Sequence, residues 1–283
     1  MGDYITDVRR TLDLLTGKEY DNYSFLYASS NEDLKALFSN FSVKDKDVFC
    51  VLASSDQMFY SYLNGARSVD TFDINLLTNY YYYLRKWIIE YYDLFYPEDN
   101  INNMYISELL KKVKVKSYDE EQAYNYWKLY TNTIYGYLSK KLFYRNTLID
   151  TNNIKDLSKL KEILNNNELN FINIDISDDN LEINKKYDVI ITSNLSEYFN
   201  CDNLKIKRYK RNLDNLLKDD GVIINSHIFS AHGCFTEKRI FGVDYNIVDF
   251  PFTKDKLGEF AVGCSYKRKV LTKKCWHLFS NII

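Results

Sequence analysis

Residues 47–75 read DVFCVLASSDQMFYSYLNGARSVDTFDIN, and the order of element types within them decides the fold. Val48, Phe49, Cys50, Val51 and Leu52 form a short apolar run rich in β-formers, as a strand covered on both faces requires. Three small residues follow, Ala53, Ser54 and Ser55, and then Asp56 and Gln57. Residues 57–63 have helical spacing and stop at Asn64-Gly65. A second strand over residues 68–72 ends in Asp73. Strand, tight turn, helix, strand and an acid about twenty residues past the turn is the layout of a fold that holds a nucleoside at the carboxyl ends of its strands. The acid accepts from the two ribose hydroxyls, and the turn presents backbone N–H groups to the ligand.

The flanking chain continues the alternation. Residues 76–96 read as a long helix that Pro97 breaks. Beyond it, apolar residues at helical spacing define a helical insertion, about residues 98–150, between the second and third strands. A third strand over 169–175 ends in Asp175. A fourth over 186–194 carries Ser193 and Asn194 at its carboxyl end, and a fifth runs over 222–228 after a turn at 218–221. A basic amphipathic helix spans 204–217. Late strands are expected over 245–250 and 259–271, which makes one strand an antiparallel edge. Strands alternating with helices predict an α/β fold with a mostly parallel, Rossmann-like sheet. Residues 1–44 form an N-terminal helical segment, and residues 45–283 the α/β domain.

Composition narrows the function. A formal charge of -2 over 283 residues gives no strong nucleic-acid signal. No apolar run reaches about 18 residues, so no membrane span is expected. The N-terminal sequence has no apolar core of signal-peptide length. The 5 cysteines are scattered without a CxxC and read as reduced thiols of a cytoplasmic protein. His227, His232 and His277 do not pair with them at finger spacing, so no metal site is expected. The sequence does not set the oligomeric state.

The strand ends together resemble class I S-adenosylmethionine (SAM)-dependent methyltransferases over roughly residues 45–271. That resemblance implies SAM as cofactor. The turn Ala53, Ser54, Ser55, Asp56 and Gln57 would receive its methionine part, and Asp73 its ribose. Asp175 and Ile176 would sit near the adenine, and Ser193 and Asn194 would face the reacting centre. A narrower resemblance rests on LYASSNED at 26–33, ASSDQ at 53–57 and FDIN at 72–75. These motifs, in this order, are similar to the BtaA-like family, whose characterised type transfers the 3-amino-3-carboxypropyl group of SAM to diacylglycerol. It adds Tyr27 as a residue closing over the cofactor, with Ile74 and Asn75 in the strand-end motif. This chain departs from that family's Ser-Gly-Gly-Asp turn, placing Ser54 and Ser55 where the glycines stand. A serine with positive φ costs on the order of 1 kcal/mol.

Each of these residues has a structural role to compete with. Asp73 could cap the helix that follows, Asp56 the helix over 57–63, Asp175 an ordinary turn, and Ser193-Asn194 a helix through Glu197. His227, at the end of the fifth strand, is a candidate base beside Ser193 and Asn194. The functional expectation is a SAM-dependent group transferase, most simply a methyltransferase, acting on a small-molecule or lipid-like acceptor. The alternatives are 3-amino-3-carboxypropyl transfer and a catalytically silent SAM- or nucleoside-binding protein. An NAD-dependent oxidoreductase is disfavoured because the turn lacks GxGxxG.

Overall fold

The computed structural model describes residues 30, 34–95, 106–132, 154–199, 202–227, 245–249, 262–267 and 273–277. Tyr27, His232 and residues 1–29 and 31–33 lie outside them. β1 (Asp47–Val51) buries each of its four apolar residues, as a strand covered on both faces must. β2 (Ser68–Asp73), β3 (Asn170–Asn173), β4 (Tyr187–Ser193) and β5 (Leu217–His227) lie parallel to it and to one another. β6 (Tyr245–Asp249), β7 (Val262–Lys267) and β8 (Lys273–His277) complete an eight-stranded sheet of order β3-β2-β1-β4-β5-β7-β8-β6.

The chain steps outward from β1 to β2 and β3, then crosses back to place β4 on the other side of β1. The reversal between β1 and β4 is a topological switch point, where open α/β sheets leave a crevice outside the carboxyl ends of their strands. The α/β expectation is met: this is a Rossmann-like, mostly parallel sheet. Its antiparallel strand is β7, hydrogen-bonded to β5 on one side and β8 on the other, so it lies inside the sheet. The edge beyond it is β6, parallel to β8, and β8 is a strand that the sequence pattern did not reveal.

The chain forms two compact units. One contains Ser30–Val51, Asp56–Ile74 and Leu169–Ile283, with the sheet, α1 (Leu34–Asn40), α2 (Asp56–Leu63) and α8 (Asn203–Leu216). Its centre stacks aromatic rings across three neighbouring strands. Phe49 lies 4.6 Å from Phe72 and 4.7 Å from Tyr187 between ring centroids. At the amino ends of the strands Asp47 accepts from Arg67, from Ser68 at 2.9 Å and from Lys218 at 2.9 Å, and Lys218 also reaches Asp188 at 3.0 Å. Lys218 gets there through an irregularity. Tyr187 pairs with Leu217 and Val189 with Val222, so residues 218–221 bulge within β5 where a turn is expected. Gly221 belongs to that bulge, and a Cβ there would lie 2.6 Å from Leu217 Cδ1.

The second unit contains Leu52–Ser55 and Asn75–Glu168, and its elements are helical: α3 (Leu77–Glu90), α4 (Tyr92–Phe95), α5 (Ile106–Leu110), α6 (Tyr118–Thr131) and α7 (Ile154–Asn166). The expected helix over 76–96 is thus two helices. Tyr80, Tyr81, Tyr82 and Tyr83 point to every side of α3, and all four are buried. They are core residues with no chemistry of their own. Trp127 of α6 donates its indole N–H to the Tyr80 carbonyl at 2.7 Å. Ser117 caps α6, accepting from Glu120 N–H at 3.2 Å, while Glu120 accepts from Lys116 N–H at 2.8 Å and pairs with Lys86 at 2.7 Å.

Candidate functional site

The turn leaving β1 is where local backbone strain gathers. Ala53 has φ 41° and Ser55 has φ 72°, both in the left-handed region that suits glycine. Ser193, ending β4, has φ 52°. Among the described residues the only other non-glycine of this kind is Asp45, so three of four mark the carboxyl ends of the two strands at the switch point. Backbone held this way costs about 1–2 kcal/mol per residue and is typical of ligand sites. The glycine-like positions fall on Ala53 and Ser55; Ser54 does not share them.

The turn is closed by its own backbone and by one cation. Ser55 N–H donates to the Leu52 carbonyl at 2.5 Å. The guanidinium of Arg85, from α3, donates to the Ser54 carbonyl. Arg85 is fully buried, and Ser54 and Ser55 are buried with it in the same unit. The Ser55 hydroxyl oxygen is buried without a hydrogen-bond partner among the described residues, an arrangement that calls for a ligand group or water.

Asp56 and Gln57 open α2, both buried. The Asp56 carboxylate accepts from Ser30 N–H at 2.5 Å, and Gln57 Nε2 donates to Ser30 Oγ at 3.5 Å. The structure therefore brings together parts of two sequence motifs, 26–33 and 53–57, through residues 26 positions apart in the chain. The expectation did not include Ser30, and its only signal was membership of the first motif.

Asp73 ends β2. Its carbonyl accepts from Ile174 N–H at 3.1 Å and Asn173 Nδ2 at 2.8 Å, and Asn173 Nδ2 also reaches the Ile74 carbonyl at 3.0 Å. These bonds fix the backbone at the carboxyl ends of β2 and β3 relative to each other. The N-cap position of α3 is Leu76, and the residue before it, Asn75, holds the helix entry: its Oδ1 accepts from Leu77 N–H at 3.0 Å and its carbonyl accepts from the Thr78 hydroxyl at 2.7 Å. Ile74 is an exposed apolar side chain beside Asp73 in sequence.

Asp175 lies beyond β3, which ends at Asn173 and not at the acid. Its carboxylate accepts from Ser177 N–H at 2.8 Å and Ser177 Oγ at 2.6 Å, closing a local turn. Ile176 is buried, and its carbonyl accepts from Asn212 of α8 at 2.8 Å. Ser193 donates to Asn194 Oδ1 at 3.3 Å, and a 3₁₀ helix, Leu195–Phe199, follows where an α-helix is expected. Behind Ser193, Asn225 of β5 accepts from Tyr209 at 2.7 Å and from Thr192. This buried trio braces the end of β4. His227 closes β5, paired through its backbone with Val262.

Among the described residues no cluster of His, Cys, Asp or Glu has a metal-binding arrangement. Cys50 is buried in β1, and burial pushes its thiol well above the usual range, so it is a packing residue. No helix among the described residues is long and apolar enough to cross a membrane.

No family model matches the chain, and no curated protein matches it. Solved structures similar to it are SAM-dependent methyltransferases. The glycopeptide N-methyltransferase MtfA matches at 8% identity and a TM-score of 0.36, over 77% of this chain and 61% of that one. A SAM-dependent methyltransferase from Clostridium acetobutylicum matches at 13% identity and a TM-score of 0.32, over 96% and 78%. A TehB-like SAM-dependent methyltransferase from Corynebacterium glutamicum matches at 9% identity and a TM-score of 0.36, over 96% and 98%. At such TM-scores the fold assignment rests on the strand order itself. The chain spans about three fifths of the length of MtfA.

Proposed function

We propose that this chain is a SAM-dependent group transferase, most simply a methyltransferase. The observation that carries this reading is the backbone of the β1 turn. Ala53 and Ser55 keep glycine-type conformations without being glycine, and the Ser55 hydroxyl is buried without a partner among the described residues. A turn that only joined a strand to a helix would have no need of either. The residues fit the methionine end of SAM: backbone N–H groups and the Ser55 hydroxyl can take its carboxylate, with the buried Arg85 charge close behind the Ser54 carbonyl. Asp73 is the last residue of β2, the strand-end position suited to the ribose hydroxyls. Asp175 and Ile176 flank the adenine end, and Ser193 and Asn194 face the acceptor.

Bound there, SAM supplies an electrophilic carbon beside a sulfonium. The chain's task is to hold an acceptor atom in line with that carbon and to exclude water. The tight end of β4, braced by Asn225, Thr192 and Tyr209, fixes Ser193 and Asn194 for that purpose. A base is needed only for an acceptor that must lose a proton, and His227 is placed by sequence at the neighbouring strand end. The acceptor is a small molecule or a lipid-like molecule.

One contact favours a second reading, transfer of the 3-amino-3-carboxypropyl group. Ser30 N–H bonds to Asp56, which ties together two of the three motifs shared with the BtaA-like family. Product analysis separates the two: S-adenosylhomocysteine marks methyl transfer and methylthioadenosine the alternative. The SAM reading itself is tested by calorimetry on the wild type and Asp73→Ala. Loss of the ribose acceptor should weaken SAM binding about tenfold to a hundredfold. Equal affinity in the two proteins overturns the assignment.

A further inference from the structure

Helix α8 carries five Lys/Arg and one Asp in fourteen residues, in a chain of net charge -2. Its inner arc, Ile206, Tyr209, Asn212, Leu213 and Leu216, is buried. The outer arc presents Leu204, Lys207, Arg208, Lys210 and Arg211. Asp179 pairs with both arginines, at 2.6 Å to Arg208 and 3.4 Å to Arg211. Among the described residues the side chains of Lys205, Lys207 and Lys210 have no hydrogen-bond or ion-pair partner. Asp202 accepts from the Leu204 and Lys205 N–H groups as the helix cap, and Asp214 lies half-buried one turn from the carboxyl end.

Two exposed apolar side chains stand at the amino end of this helix. Leu204 is 64% exposed, the most exposed large apolar side chain among the described residues, and Tyr198 is 44% exposed. The 3₁₀ helix that carries Tyr198 is fixed to α8: Phe199 lies 5.0 Å from Tyr209 between ring centroids, and Asp202 N–H donates to the Phe199 carbonyl at 2.7 Å. This end of α8 follows β4 and so lies at the carboxyl edge of the sheet.

We infer that the outer face of α8, together with the exposed Lys205 of its first turn and with Tyr198 and Leu204, is a docking surface for an anionic phospholipid membrane. A set of lysines alone is a solvated face. Here the three lysines lie on one helix with an exposed leucine, next to an exposed tyrosine, and that combination matches a lipid interface: cations for the headgroups, a tyrosine at headgroup depth, a leucine just beneath. Nucleic acid would use the lysines but gives no place to Leu204, and the overall negative charge opposes it. The surface does not depend on the SAM reading.

Co-sedimentation of the full chain with phosphatidylcholine vesicles, with and without phosphatidylglycerol, tests it. The wild type should bind only the vesicles containing phosphatidylglycerol, and should release as salt rises. Each lysine near an anionic surface strengthens partitioning about fivefold, so K205Q/K207Q/K210Q should bind roughly a hundredfold more weakly. The matching Lys→Arg triple variant should bind like the wild type, which separates lost charge from a disturbed helix. Leu204→Ser should weaken binding without changing its salt dependence. Equal binding to neutral vesicles, no vesicle binding at all, or a Gln triple variant as tightly bound as the wild type overturns the proposal. So does an oligonucleotide that binds these lysines while vesicles do not.

Discussion

Arg85, fully buried on α3, donates a hydrogen bond to the carbonyl oxygen of Ser54 in the turn after β1. A guanidinium carries a strong charge into the interior, and its bond to a buried carbonyl is of the charge-assisted kind. Arg85→Met should therefore leave that carbonyl buried and unsatisfied and lower stability by about 2–3 kcal/mol. Arg85→Lys should recover part of the loss, since an ammonium reaches the carbonyl without the planar fork. Urea denaturation of the three proteins measures both. Met and Lys variants as stable as the wild type would show that the bond does not hold the turn.

The turn also stores backbone strain that glycine would relieve. Ala53→Gly and Ser55→Gly should each be neutral or stabilise the fold by up to about 1 kcal/mol, against the usual cost of adding glycine. Ser54→Gly should destabilise by about 0.5–1 kcal/mol, because Ser54 does not have positive φ. Thermal melts distinguish the three positions. The Ser55 variant should also lose SAM affinity through its hydroxyl, while Ala53→Gly should not. A Ser55→Gly protein that binds SAM as the wild type does would remove the hydroxyl from the site.

These positions mark how far the sequence could be read. The order of strands was legible because β1 and β4 are unbroken apolar runs bounded by turn residues, and that pattern has few readings other than a buried parallel strand. The turn between β1 and α2 was legible as a turn. Its strained residues were not: the positive φ falls on Ala53 and Ser55, and the resemblance to a Ser-Gly-Gly-Asp turn pointed at Ser54 and Ser55. The partner Arg85 was hidden for another reason. It lies more than thirty residues along the chain, within an otherwise apolar and aromatic helix, and no local pattern ties it to Ser54. The bulge in β5 was read as a turn because Lys218-Asp219-Asp220-Gly221 has turn chemistry, and only the pairing with β4 makes it strand. Asp73 was the acid read as a candidate helix cap, and the side-chain bond to the Leu77 N–H at the start of α3 comes from Asn75.

Acid should expose the network at the amino ends of the strands. Arg67, then Lys218 and Ser68, hold the Asp47 carboxyl well below its ordinary value of 3.8, against the opposing effect of burial. Burial raises Asp188, but the Asp47 N–H and Lys218 outweigh it and its carboxyl is lowered too. A carboxyl lowered in the folded state contributes stability that is complete above its unfolded value and lost as pH falls through the folded one. Stability from this pair should thus be flat near neutrality and fall below about pH 4. Lys218→Met should lower stability by a constant amount from about pH 5 to 9, with the loss shrinking as the carboxyls protonate, and should move the acid-unfolding midpoint up by about half a pH unit. Circular dichroism against pH gives the midpoint, and an unmoved acid limb would show that Lys218 does not bind these carboxylates in solution.

Asn75 separates structure from chemistry at the end of β2. Its Oδ1 accepts from Leu77 N–H, and its carbonyl accepts from the Thr78 N–H at 3.1 Å and hydroxyl at 2.7 Å, so two N–H groups of the first turn of α3 are satisfied by this one residue. Asn75→Ala keeps the carbonyl and loses the cap, which should cost about 1 kcal/mol. Asn75→Asp keeps an acceptor at the same place and adds a charge favoured by the helix amino terminus, so it should be as stable as the wild type or slightly more so. Neither change touches the carboxylate of Asp73. If Asp73 alone holds the ribose, Asn75→Asp leaves SAM affinity within about twofold of the wild type, whereas Asp73→Asn, which keeps the shape and removes the charge, weakens it at least tenfold. Calorimetry on the two single variants reads this directly. A larger loss in Asn75→Asp than in Asp73→Asn would move the ligand contact from the strand's last residue to the helix cap.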